Sequence, residues 1–199
     1  SWNKTPITVF IDCNPSFSIY TELALAASDR LIIPFSADGS SKRAVRAVLS
    51  LVFGKSRQAG QQQSEFFINT ERFRMSTPRL YMYIGNRLTQ ANKASATAFS
   101  TVVNEIGNEI YDVWHAHPNL FCIHPNGASS PSSKRSFKAM FEYEVNDANT
   151  ASVVSSACGI PISELSSGTR VVLGKNVVVN QTQLDKQVPN IQNLVAAIE

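Results

Sequence analysis

No apolar run in this sequence approaches the roughly 20 residues that a membrane-crossing helix needs, which excludes a helical span. No basic stretch followed by an apolar one opens the chain, so it starts without the pattern of a secretory leader. It does not begin with Met either. Ser1 is expected to be a cleavage point or a cloning scar, with residues missing upstream. Cysteine is scarce: Cys13, Cys122 and Cys158 form an odd, scattered set. That is no disulfide framework, and it fits a reducing, cytoplasmic home. Charge is modest as well, with 18 basic and 15 acidic residues giving a net +3. Such a balance permits a nucleic-acid surface without requiring one. What remains is 43% hydrophobic residues in a chain of 199. That composition belongs to a soluble globular protein, and the length suits a single domain spanning 1–199.

The apolar residues fall in alternating blocks. Residues 7–12, Ile-Thr-Val-Phe-Ile-Asp, read as a buried, parallel strand ending in an acid. Pro15 and Ser16 break it, and an Ala- and Leu-rich helix follows over 18–28. A second short buried strand covers 31–35. Asp38, Gly39 and Ser40 form a turn suited to capping the next helix. In that helix Val45, Val48, Leu49, Val52 and Phe53 make one apolar stripe. Residues 54–65 read as an exposed loop, and a third strand occupies 80–84. A long helix over about 91–110 carries Phe99, Val102, Val103, Ile106 and Ile110 on one side. Residues 126–136 are the most loop-like stretch. An amphipathic helix with Leu184, Val188, Ile191, Val195 and Ile198 closes the chain, and Pro189 either starts it or kinks it. Strand and helix in alternation predict an α/β fold with a mostly parallel sheet flanked by helices. Ligands in such folds sit at the carboxyl ends of the strands, where Asp12, Pro34 and Asn86 fall.

Several residues have the chemistry for a site. A carboxylate at the end of an apolar strand, as at Asp12, can hold a metal ion through water beside a phosphate. It can equally cap the following helix. His115, His117, Cys122 and His124 crowd together, and imidazole and thiolate suit zinc. Their spacing matches no standard closed zinc site, and histidines disposed around a buried strand are the simpler reading. A phosphate cradle needs a Gly-rich turn opening a helix and a lysine reaching the phosphates. Gly54-Lys55-Ser56 has Leu49 where the upstream glycine belongs, and Gly174-Lys175 is followed by Asn176.

The stretch from Ile7 to Leu49 resembles the Walker B region of the ParA/MinD group of deviant Walker ATPases. The shared order is an apolar strand, then Asp12 with Pro15 and Ser16, then a helix with Leu23 and Ala26. Ser28-Asp29 and the strand from Leu31 to Pro34 come next. Farther on, Tyr83 to Arg87 is similar to the family strand that ends in Asn-Arg. Residues 147–162, closing on Cys158-Gly159-Ile160-Pro161-Ile162, are similar to its late helix and Gly-x-Pro element. The resemblance implies an incomplete P-loop NTPase fold and a role for each matched position. Asp12 would orient magnesium and its waters, Pro15 and Ser16 would shape the loop near the γ-phosphate, and Asn86 would approach adenine. A strand-end turn residue is the plain alternative for Asn86.

The family's Lys-Gly-Gly-x-Gly-Lys-Thr loop occurs nowhere in these residues. The chain is therefore expected to be the C-terminal part of a ParA-like ATPase, with an exposed apolar sheet edge. By itself it should neither bind nor hydrolyse ATP, whereas the parent would use ATP and magnesium to dimerise. The resemblance also implies a ParB-like partner and nonspecific binding to nucleoid DNA. Phosphate contacts would come from Lys42, Arg43 and Arg46 on one helix and from Lys134, Arg135 and Lys138 around the Ser-rich loop. A solvated helix face and an ordinary loop are the bland alternative for these six. The closing helix carries Lys186 as its one basic residue, which argues against a MinD-like membrane helix. A second reading, from another class, is a non-hydrolysing scaffold of the same fold that binds DNA or protein.

Overall fold

The computed structural model describes residues 7–13, 18–36, 38–54, 63–88, 93–122 and 129–198, with backbone alone at 87–88 and 93–99. Three strands form a parallel sheet: β1 (Arg30–Ser36), β2 (Arg79–Leu88) and β3 (Glu142–Asn146), in the order β1-β2-β3. Helices connect them. α1 (Ile19–Ala27) precedes β1; α2 (Gly39–Phe53) and α3 (Glu65–Phe73) link β1 to β2; α4 (Lys93–Ala116) and α5 (Lys134–Phe141) link β2 to β3. After the sheet come α6 (Thr150–Cys158), a hairpin of β4 (Gly168–Val172) and β5 (Lys175–Val179), and α7 (Gln181–Ile198). The chain is thus an α/β protein with parallel strands flanked by helices, as the alternating apolar blocks predict.

Position in the sheet explains the strand sequences. The central strand β2 is buried on both faces, so Leu80, Tyr81, Met82, Tyr83 and Ile84 are all apolar or aromatic and all buried. The outer strand β1 alternates, burying Ile33 and Phe35 and exposing Pro34. Proline, which has no N–H to give a ladder, is tolerated at such an edge. The pairing slips between Leu31 and Ile32, opposite Leu80 and Met82, so Tyr81 is the extra residue. This bulge lets Tyr81 and Met82 both serve one face, while Leu80 and Tyr83 serve the other.

One face of the sheet carries the main core. Val45, Leu49, Val52 and Phe53 of α2 and Val103, Ile106 and Ile110 of α4 pack there on Ile33, Phe35, Leu80 and Tyr83. Phe137 of α5 is its aromatic hub, with ring centroids of Phe141, Tyr111, Trp114, Phe121 and Tyr83 at 4.9, 5.3, 5.3, 6.0 and 6.3 Å. The opposite face is covered by Leu194 and Ala197 of α7. A third cluster, from α6, the hairpin and the start of α7, buries Ala151, Val154, Val172, Val179 and Leu184.

Residues 7–13 depart from expectation. They are not a strand, and Ile7, Val9, Phe10 and Ile11 are exposed. An extended segment becomes a strand by pairing its N–H and C=O groups, and β1-β2-β3 lends it no partner among the described residues. Other boundaries shift. The Ser-rich loop ends at Ser133, because a reciprocal Ser133–Ser136 capping box starts α5 there. Pro189 lies inside α7 rather than at its start. Phe121 bridges to Leu80 instead of forming a full strand, and Ile123 and His124 lie outside the described residues.

Candidate functional site

The carboxyl edge of the sheet is where the parallel topology gathers polar residues. Ser36 ends β1 directly opposite Asn86 of β2, so the two backbones run one strand spacing apart, about 4.8 Å. Leu88 pairs in turn with Asn146 at the end of β3. Asn86 is exposed there, as a residue meeting a ligand has to be. Beyond Ser36 the chain turns tightly into α2. Asp38 is the N-cap, its Oδ1 accepting from the backbone N–H of Ser40 at 2.9 Å and Ser41 at 2.8 Å. The Ser40 hydroxyl also donates to it at 2.6 Å, and Ser41 Oγ accepts from the Ser36 N–H at 3.2 Å. Hydrogen bonding, first from the Ser40 side chain and then from Ser41, holds the Asp38 carboxyl below the ordinary range. This carboxylate already occupies the anion position at the start of α2. A nucleotide phosphate therefore does not find a vacant helix end at this strand.

Asp12 is exposed, and it makes no hydrogen bond or ion pair among the described residues. A lone exposed carboxylate fits magnesium only when phosphate oxygens and waters complete the shell. Among the described residues no three His, Cys, Asp or Glu side chains gather in a way that would hold a metal. Pro15 and Ser16 lie outside the described residues. His115 is exposed at the end of α4, its ring 6.1 Å from that of Tyr111. Cys122 is buried, its Sγ 3.7 Å from the Arg79 carbonyl, and burial pushes its thiol up, so it stays protonated.

The six basic residues do not form one open surface. Lys42 Nζ donates to Glu105 Oε2 at 2.7 Å. Arg46 grips Glu109 with its Nε at 2.7 and 2.9 Å from the two carboxylate oxygens, and its Nη2 also donates to Oε1. These two pairs repeat every four residues on both helices, so α2 and α4 run parallel with their charges in step. Between them lies a groove of about 220 Å³, lined by Lys42, Arg46, Glu105, Asn108, Glu109 and Asp112. Two cations meet three carboxylates there, which repels rather than attracts a phosphate. Lys138 donates to Asn104 Oδ1 at 2.6 Å and lies 3.6 Å from Glu142. Lys134 sits over the Tyr111 ring at 5.4 Å. Arg43 and Arg135 are exposed and form no ion pair among the described residues.

The sequence contained a signal for the α2–α4 seam that composition alone conceals. Lys42 and Arg46 are four residues apart, and so are Glu105 and Glu109, on two helices both expected to face one sheet. Comparison with protein-family models, with curated proteins and with solved structures found no match.

Proposed function

We propose that this chain is part of a ParA-like partitioning ATPase, contributing the magnesium-orienting and base-recognising side of the nucleotide site. The observation that carries the reading is Asn86, exposed at the carboxyl end of the central parallel strand and level with Ser36 of the neighbouring one. Nucleotides in open α/β sheets bind at that edge. The ordered match of Asp12, Pro15, Ser16 and the helix and strand after them supports the same assignment. In this reading Asp12 orients magnesium through water, Asn86 meets adenine, and water attacks the γ-phosphate. The phosphate-binding lysines belong to a loop outside these 199 residues, so ATP binds the parent protein and not this chain alone. ATP then controls dimerisation and nonspecific DNA binding on the nucleoid, and a ParB-like partner stimulates release. No helix among the described residues is long and apolar enough to cross a membrane, and DNA is the cargo surface in this account.

The second reading is a scaffold of the same fold that binds a protein and hydrolyses nothing. Two observations favour it. The pairing of Lys42, Arg46 and Lys138 with acids leaves fewer cations for phosphates. Tyr20 and Leu23 of α1, with Val9 and Phe10, present apolar side chains to solvent. Photolabelling the full gene product with magnesium and 8-azido-ATP separates the two. Label recovered in the peptide containing Asn86, and competed away by ATP, supports the ATPase. Label that ATP does not compete, or that lands elsewhere, favours the scaffold.

A further inference from the structure

The hairpin carries an anomaly that stability does not explain. β4 and β5 are joined by two residues, Leu173 and Gly174, both with positive φ, at 50° and 74°. This is the mirror-image turn that matches strand twist, and Asn-Gly is its favoured sequence because both positions need the left-handed region. A leucine there is strained. It is also 97% exposed. Just behind it, Val171 and Val178 are 69% and 62% exposed, on the face opposite the one that buries Val172 and Val179. Strain and exposure both count against folding, and they converge on one side chain at the tip of a projecting ribbon. Outliers of this kind are kept where they act.

The surroundings define what the tip meets. Between Glu164 and Asp185 there is no acid, whereas Arg170 and Lys175 flank the tip. Arg170 is fixed by bonds to Ser166 Oγ at 2.7 Å and to the Thr169 carbonyl at 3.3 Å; Lys175 is exposed. Like charges disfavour a second copy of the same hairpin and favour an anionic partner. Arg170 and Lys175 stand on the face of Val172, with Lys175 next to the turn, while the outward face carries Thr169 and Asn176, opposite Val178 and Val171. In hydrocarbon those polar side chains would lose their hydrogen bonds. In the minor groove of a duplex they meet sugars and the acceptors on base edges. Strands enter that groove in several DNA-binding proteins, and apolar side chains of Leu type wedge from it between base steps without reading sequence.

We infer that the β4–β5 hairpin is a DNA-contacting arm, with Leu173 as an apolar wedge and Lys175 as a phosphate contact. The inference deepens the partitioning reading and rests on its DNA-binding step. Leu173→Asn tests it, because the substitution relieves the turn and removes the wedge at once. Affinity for a short random-sequence duplex is measured by anisotropy against salt, on the full gene product with and without magnesium-ATP. The expected result is a higher thermal midpoint together with about tenfold weaker duplex binding, the loss of one buried leucine contact. Lys175→Gln should flatten the salt slope by about one. If the wild type binds duplex and Leu173→Asn binds equally well, the arm is overturned and the DNA reading stands. If the wild type binds no duplex, both fail. Binding to anionic vesicles that Leu173→Asn abolishes would then reassign the tip to a lipid surface.

Discussion

Glu142 lies where α4, α5 and β2 meet, and the smallest neighbour sets the spacing. Tyr83 Oη donates to its Oε2 at 2.7 Å, and Lys138 stands 3.6 Å away. A methyl on Gly107 would come 2.9 Å from that same Oε2 and 3.1 Å from the Tyr83 hydroxyl. Inside α4 alanine is favoured over glycine by about 1 kcal/mol, so Gly107→Ala is expected to displace the Glu142 carboxylate from Tyr83 while leaving unfolding free energy within about 1 kcal/mol of wild type. A urea midpoint that rises by the full propensity gain would refute the close approach. Burial, then the Glu142 charge, pushes the Tyr83 phenol well above its ordinary value, so it remains a donor throughout the working range. Tyr83→Phe removes that donor from a mostly buried carboxylate and should cost about 1–3 kcal/mol. Asp38 gives a pH prediction. Its folded pKa is depressed, so its contribution is complete above the ordinary carboxylate value and fades as pH falls through the folded one. Asp38→Asn keeps an acceptor but loses the charge. The wild-type advantage in unfolding midpoint should thus be present at neutral pH and shrink in acid; a pH-independent difference would contradict it.

At the scale of elements, α7 closes the far edge of the sheet through one side chain. Asn190 Oδ1 accepts from the Asn146 N–H at 3.1 Å, and its Nδ2 donates to the Glu144 carbonyl at 3.0 Å. The amide thus stands in for a fourth strand at the edge of β3. Asn190→Ala should cost about 1–2 kcal/mol and speed exchange of the Asn146 amide, and unchanged exchange would count against the clamp. Elements whose apolar spacing is set by the core were legible in the sequence: α1, β1, α2, β2 and α4 all formed near their expected positions. Those set by neighbours were not. β3 follows α5 with no intervening turn and mixes Glu142 and Glu144 with Tyr143 and Val145, as befits an edge. The hairpin turn hid because Leu-Gly stands where Asn-Gly is the usual signal. Residues 7–11 show the converse: an apolar run reports a segment that favours burial but not what buries it. Of the candidate site, Asn86 was legible as a strand-end polar residue, whereas Asp12 lies on a segment that forms no strand. The α2–α4 ion pairs were legible only in part: the matched four-residue spacing of Lys42/Arg46 and Glu105/Glu109 stands in the sequence, but which helix lies beside which is set by the fold.

Among the described residues, three apolar clusters hold a parallel sheet whose carboxyl edge carries polar residues. Ser36, Asp38, Asn86 and Asn146 collect there by topology, although they are widely spaced in sequence. That edge is the part of the architecture on which the ATPase reading depends. The basic side chains contribute less than their number suggests, since neighbouring acids hold Lys42, Arg46 and Lys138. The Lys42–Glu105 pair is solvated, screened by salt and weak in stability terms, whereas Glu109 and Glu142 are buried or nearly so; all three pairs cancel long-range attraction for phosphates. The most direct test is calorimetric titration of magnesium-ATP into this chain, into the full gene product, and into that product with Asp12→Ala. The account predicts binding by the full product, loss on Asp12→Ala, and none by these 199 residues alone. Absence of binding by the full product, or binding that Asp12→Ala leaves intact, would contradict it.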